Sequence, residues 1–162
     1  MVRLRLGCYA FALLVLGIDQ LTKYLASKHL HYGAEVDVLP FLSWKLVHNT
    51  GAAFSMFADG DWSRWALSLL AAVFSVFLAN EIRKLEASDG WYGFACASIR
   101  AGALGNLVDR LRLGWVVDFV FVHYEAFRFP VFNVADSAVT VGAAIWIVLL
   151  VTRSMSGTRE TS

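Results

Sequence analysis

The chain has 162 residues, of which 58% are apolar or aromatic and only 17% are charged, and its 14 basic and 13 acidic side chains nearly cancel to +1. Soluble domains carry ~25% charged residues. The composition therefore excludes a disordered chain, a disulfide-stapled secreted domain and a soluble nucleic-acid binder, and indicates a membrane protein.

At about 20 residues per span, the length accommodates four or five crossings. The first apolar run, Leu6 to Ile18, follows Arg3 and Arg5 and continues through Asp19, Gln20, Thr22 and Lys23 to about Ala26. A cleaved signal peptide also has a basic start and an apolar centre. No small-x-small site follows here, because Tyr24 stands where Ala26 would need a small partner. Leu6–Gly7–Cys8 imitates a lipoprotein cleavage site, but the apolar run lies after the cysteine.

Residues 27–63 form a loop whose stretch Leu39 to Val47 is rich in β-branched and aromatic residues, suiting short strands or an interfacial aromatic segment. The second run, Trp65 to Ala79, lies between Arg64 and the Glu81–Lys84 cluster, and a polar turn over 80–89 leads to a third, Gly90 to Val108, broken by Arg100. A second loop holds WVVDFVFV from Trp115 to Val122, with the same strand-like character. The fourth run starts near Asn133, is uncharged from Ser137 to Val151, and ends at Arg153.

The expected fold is an all-α polytopic membrane protein, a single domain over 1–162. Its four transmembrane helices fall near 5–26, 63–82, 90–110 and 133–152. A small β-platform sits on the loop side, with Trp62 and Trp65 near the interface. The basic start favours a cytoplasmic N-terminus, although the remaining basic residues divide almost evenly between the two sides.

An ionisable side chain inside a span costs about 2.5–3.5 kcal/mol on insertion scales, so each one needs a reason. Asp136 lies one turn inside the fourth span with Asn133 at i−3, and a helix start with Asn133 as N-cap accounts for it as a variant capping box. Asp118, in Val116–Val117–Asp118–Phe119–Val120, must be paired, hydrated or protonated unless it faces water. Two carboxyls that converge at a membrane boundary suit one chemistry. One keeps a proton while the other acts as general base on a water that attacks a peptide carbonyl. Nearby Asn and Arg side chains would hold the charge state and orient the carbonyl.

Asn106 and Arg110 are spaced i, i+4 with Gly102 one turn earlier, where a small residue admits another helix or a substrate. The plainer alternative is an interfacial Asp109–Arg110 pair. Asp19 and Lys23 read as a helix ion pair. The four histidines, His29, His31, His48 and His123, include an H-x-H pair, but there is neither HExxH nor a cysteine ligand set. GxSxG is absent as well, and Cys8 and Cys96 read as packing residues. Two rivals remain on these residues: a small ion- or proton-conducting membrane protein using intramembrane aspartates as a relay, and a scaffold whose polar residues only lock helices together.

Five blocks in order resemble the bacterial lipoprotein signal peptidases (signal peptidase II). They are Asp19–Gln20–Leu21–Thr22–Lys23, Asn49–Thr50–Gly51–Ala52–Ala53–Phe54, Gly102 to Arg110, Val117–Asp118–Phe119, and Phe129 to Ser137. The resemblance implies an aspartyl endopeptidase of the inner membrane with both termini cytoplasmic and a periplasmic-side active site. Its substrate would be a prolipoprotein cut just before a cysteine that carries diacylglycerol, its other partner membrane lipid, its state a monomer, with no nucleic acid, metal or cofactor. Carried over block by block, Asp118 and Asp136 are the catalytic dyad, while Asp19, Asn49, Asn106, Arg110 and Asn133 support the dyad or bind substrate. The third block departs from the family in having Arg100–Ala101 before Gly102. At about 100° per residue, Arg100 lies roughly 160° from the Gly102–Asn106–Arg110 stripe and should stay out of the pocket.

Overall fold

A computed structural model describes residues 1–51 and 62–159; Ala52–Ala53–Phe54 of the second block lie outside them. Four long helices form a bundle: α1 (Val2–His29), α2 (Trp62–Lys84), α3 (Gly90–Arg112) and α4 (Val134–Arg159). One antiparallel sheet caps it, in the order β1 (Glu35–Leu39), β2 (Leu42–Asn49), β3 (Val116–Tyr124) and β4 (Phe127–Arg128).

Three helical segments, Val2–His29, Trp62–Lys84 and Val134–Ser154, are long and apolar enough to cross a membrane. Their exposed aliphatic side chains, such as Leu13, Leu14, Leu69, Leu70, Val73, Ile147 and Val148, suit a lipid surround. The third run, expected to be a span of the same kind, does not reach that apolarity. The reason is its position. α3 packs against α1, α2 and α4, so glycine, alanine, serine and Asp109 line its buried face where lipid-facing helices carry leucine. Close approach demands the small residues: a Cβ on Gly102 would run into the Ala135 carbonyl oxygen and the Val139 side chain of α4.

The core between the helices gathers Cys8, Ala12, Leu78, Ile82, Leu85, Cys96, Ala97, Ile99 and Ala101. Arg100 points away from the Gly102–Asn106–Arg110 stripe, toward α1, where its guanidinium lies over the Tyr9 ring at 5.5 Å.

Both loops yield strands, because alternating β-branched and aromatic residues fit a pleated, half-buried surface. β2 pairs with β3 in the register Val47↔Asp118, His48↔Val117 and Asn49↔Val116, with an irregularity between Trp44 and Val47. The buried Ser43 hydroxyl donates to Asp37 Oδ1 (2.7 Å) and lies 2.8 Å from His123 Nε2, tying β1, β2 and β3 together. The segment before α4 adds a bridge to β3: Phe132 accepts from Val120 N–H (2.8 Å) and Phe119 N–H (3.0 Å) and donates back to the Val120 carbonyl (3.0 Å). That bridge brings the start of α4 beside Asp118.

Candidate active site

The polar residues of the sequence converge where β3, the start of α4 and the far ends of α1 and α3 meet. Asp118, 1% exposed, enters from β3. Its Oδ1 accepts from Asn133 Nδ2 (2.6 Å) and its Oδ2 from Asn49 Nδ2 (3.0 Å). The water-facing strand residue is thereby ruled out for Asp118. Asn49 is aimed by its own turn, since its Oδ1 accepts from the N–H of Gly51, whose φ of +87° suits glycine.

Asp136 enters from the first turn of α4. Asn133 and Asp136 form a reciprocal capping box: Asp136 N–H donates to Asn133 Oδ1 (2.9 Å), and Asn133 N–H donates to Asp136 Oδ2 (3.2 Å). The cap uses only one carboxylate oxygen. The other, Oδ1, accepts from Asn106 Nδ2 (2.8 Å) on α3. Asn133 therefore bonds both carboxylates, that of Asp118 through its side-chain amide and that of Asp136 through its backbone N–H.

Burial is the largest influence on Asp118 and lifts its carboxyl from 3.8 to about 6, against the hydrogen bond from Asn49; the Asp136 charge pushes it up, while the Asn133 bond and the Lys23 charge pull it down. A carboxyl with that affinity for protons beside a second carboxylate is an arrangement suited to sharing one proton.

Arg110 is half-buried on α3 with the charges of Asp136, Asp118 and Asp109 around it. Among the described residues its guanidinium makes no ion pair, only a long bond to the Asn106 carbonyl (3.5 Å). Arg64 of α2 fixes this end of α3 by donating to the carbonyls of Arg110 (2.7 Å) and Leu111 (3.1 Å).

Asp19 and Lys23 pair at 2.9 Å, as their i, i+4 spacing implies. The interfacial Asp109–Arg110 pair is not formed; Asp109 turns inward to Lys23 at 3.0 Å. The spacing held the signal, because Asn106 and Asp109 are i, i+3 on one helix face. Gln20, part of the first block but given no role by the sequence, has an amide that donates to Asp109 Oδ1 (3.0 Å), Asp19 Oδ2 (3.2 Å) and the Gly105 carbonyl (3.2 Å).

Comparison with known proteins shows what the chain is similar to. The family model described as signal peptidase (SPase) II matches residues 11–152. A lipoprotein signal peptidase of Teredinibacter turnerae is 49% identical over 93% of this chain and 88% of its own length. One from Pseudomonas fluorescens is 46% identical, covering 86% and 84%. A bacterial membrane enzyme solved at 2.3 Å superposes with a TM-score of 0.81 at 29% identity, over 91% of this chain and 89% of that one. These matches give the ion-conduction reading no support.

Proposed function

The chain belongs to the signal peptidase II family, a multi-pass membrane protease that removes signal peptides from prolipoproteins, and we propose that it does so as an aspartyl endopeptidase with Asp118 and Asp136 as its dyad. The observation that carries the reading is the pair of carboxyls from separate elements, β3 and α4, bridged by the single residue Asn133. One carboxyl holds a proton and the other takes one from a water that attacks the scissile carbonyl; the protonated partner donates to the developing oxyanion. The pair titrates as a unit. Asn49, Asn106 and Asn133 hold the carboxylate oxygens, and the guanidinium of Arg110 supplies positive charge and donors for the substrate backbone. Asp19 supports the dyad from α1 through its bond to Ala135 N–H (2.9 Å).

The substrate bond lies just before a diacylglyceryl-modified cysteine, so a greasy signal helix and its acyl chains meet a greasy enzyme. α3 completes the set of four spans: its 23 residues reach about 35 Å at ~1.5 Å per residue, enough for the hydrocarbon core, and its neighbours shield its polar positions. With four spans in the inner membrane, both termini lie in the cytoplasm with Arg3 and Arg5. The dyad, at the opposite end of the bundle, then faces the periplasm. The enzyme acts as a monomer.

Asp118→Asn and Asp136→Asn test the dyad. Each should lower cleavage of a lipidated precursor by about 10²–10⁴-fold or more, the usual weight of general acid–base catalysis, while the protein stays folded and inserted. Asn at 136 still offers an oxygen to the cap, so a residue needed only for the helix start would tolerate it at a cost under about 2 kcal/mol. Normal cleavage by either variant would remove the dyad assignment.

A further inference from the structure

One buried cluster behind the dyad carries more charge than a helix lock needs. The Lys23 ammonium, 3% exposed, donates to three oxygens: Asp19 Oδ2 (2.9 Å), Asp109 Oδ2 (3.0 Å) and Asn106 Oδ1 (2.9 Å). Those are all the donors an ammonium has. Two carboxylates against one cation leave a net negative charge in the protein interior, which is costly unless further donors meet it. The Gln20 amide meets part of it, and two backbone amides meet more. Asp19 Oδ1 accepts from Ala135 N–H (2.9 Å), and Asp109 Oδ2 accepts from Val117 N–H (3.0 Å). Ala135 directly precedes Asp136, and Val117 directly precedes Asp118.

Asn106 is fixed by the same cation. Its oxygen faces Lys23 and also accepts from Asn133 Nδ2 (3.2 Å), so its Nδ2 must face Asp136. Reversing the amide would set a carbonyl against a carboxylate. Gly105 makes room for the cluster, because a Cβ there would lie 2.5 Å from Asp19 Oδ2.

We propose that Lys23 and Asp109, together with Asp19, are positioning residues of the hydrolysis: one buried ion cluster clamps the backbone amide directly before each dyad aspartate and sets the Asn106 amide toward Asp136. The proposal rests on the dyad reading. It differs from a helix lock because displacing either carboxyl by about 1 Å can cost ~10²-fold in rate without loosening the bundle.

The test uses the full-length protein in lipid–detergent micelles and a lipidated precursor, with kcat counted per folded, monodisperse molecule. Asp109→Asn, nearly isosteric, and Lys23→Gln should each lower kcat by about 10–100-fold and leave KM within about threefold. The charged groups around Asp118 are Asp136 from α4, Lys23 from α1 and, around Arg110 with it, Asp109 on α3; Asp19 lies behind Lys23. Removing the negative charge of Asp109 should therefore move the alkaline limb of the pH–rate profile to lower pH, and removing the positive charge of Lys23 should move it to higher pH. Opposite displacements are what a simple lock would not give. If only one variant folds, its kcat and limb decide the matter. Should the folded variants cleave within twofold of the parent with an unmoved limb, while Asp118→Asn and Asp136→Asn are inactive, the positioning role is wrong and the dyad stands. Normal cleavage by Asp118→Asn or Asp136→Asn would overturn both.

Discussion

Asp136 serves two ends with two oxygens, one closing the capping box with Asn133 and the other held by Asn106. The helix start that the sequence implies is formed, and it leaves one oxygen over: the same residue closes a cap and is held across the bundle by Asn106. At this scale the pH dependence follows from Asp118, whose carboxyl keeps its proton to about pH 6 rather than 3.8. The proposed dyad requires one proton shared between its carboxyls, and losing that proton would remove the acid. In the free enzyme kcat/KM should thus fall as pH rises, with an alkaline limb breaking at or above about 6. A pH–rate profile that instead climbs through this range would mean that Asp118 must be deprotonated to act and serves as the base alone.

Helices α3 and α4 set the site by how closely they touch. Gly102 lets the first turn of α4 lie against α3, and the carbonyl it admits belongs to Ala135, next to Asp136. Gly102→Ala should destabilise the protein by about 1–3 kcal/mol through overpacking and lower cleavage as α4 is pushed off. Gly7→Ala is the contrast, since nothing lies within 4 Å of a Cβ there. It should be neutral or stabilising by up to about 1 kcal/mol, because alanine costs less backbone entropy in a helix. Thermal unfolding of both variants in one detergent gives the comparison; equal effects would count against the close crossing. β3 shows the same dependence on neighbours. Its sequence suits a strand, but only the bridge from Phe132 and the amide clamp at Val117 decide that Asp118 points to Asn133.

The whole bundle places its polar cluster at the end away from the chain termini: Asp19 and Lys23 late in α1, Asp109 near the end of α3, Asp136 at the start of α4. Whether that end lies outside the cytoplasm depends on the number of crossings. An even number returns the C-terminus to the side of the N-terminus. A reporter fused after Ser162 should then show cytoplasmic activity, and one inserted in the tight turn at Glu125–Ala126 should show periplasmic activity. Three crossings would put the two termini on opposite sides, and the fusion after Ser162 would read out as periplasmic. Chelators should leave the cleavage rate unchanged, since hydrolysis by a carboxyl dyad needs no metal; inhibition would return attention to the histidines.

Much was legible in the sequence because membrane insertion acts on local composition. Apolar runs of span length, the cap at Asn133 and Asp136, and the Asp19–Lys23 spacing are all encoded within a few turns of chain, and five short blocks carried the family. Other features were set by long-range packing. The low apolarity of α3 follows from its place among the other helices, which no window of its own sequence reports. The pairing of Asp109 with Lys23 rather than with adjacent Arg110 joins residues far apart in the chain. A buried charge takes whatever partner the fold brings within about 3 Å, and in a bundle that partner comes from another helix. The sequence determined that a few charges would have to be justified in a greasy chain; the tertiary structure decided which of them face one another.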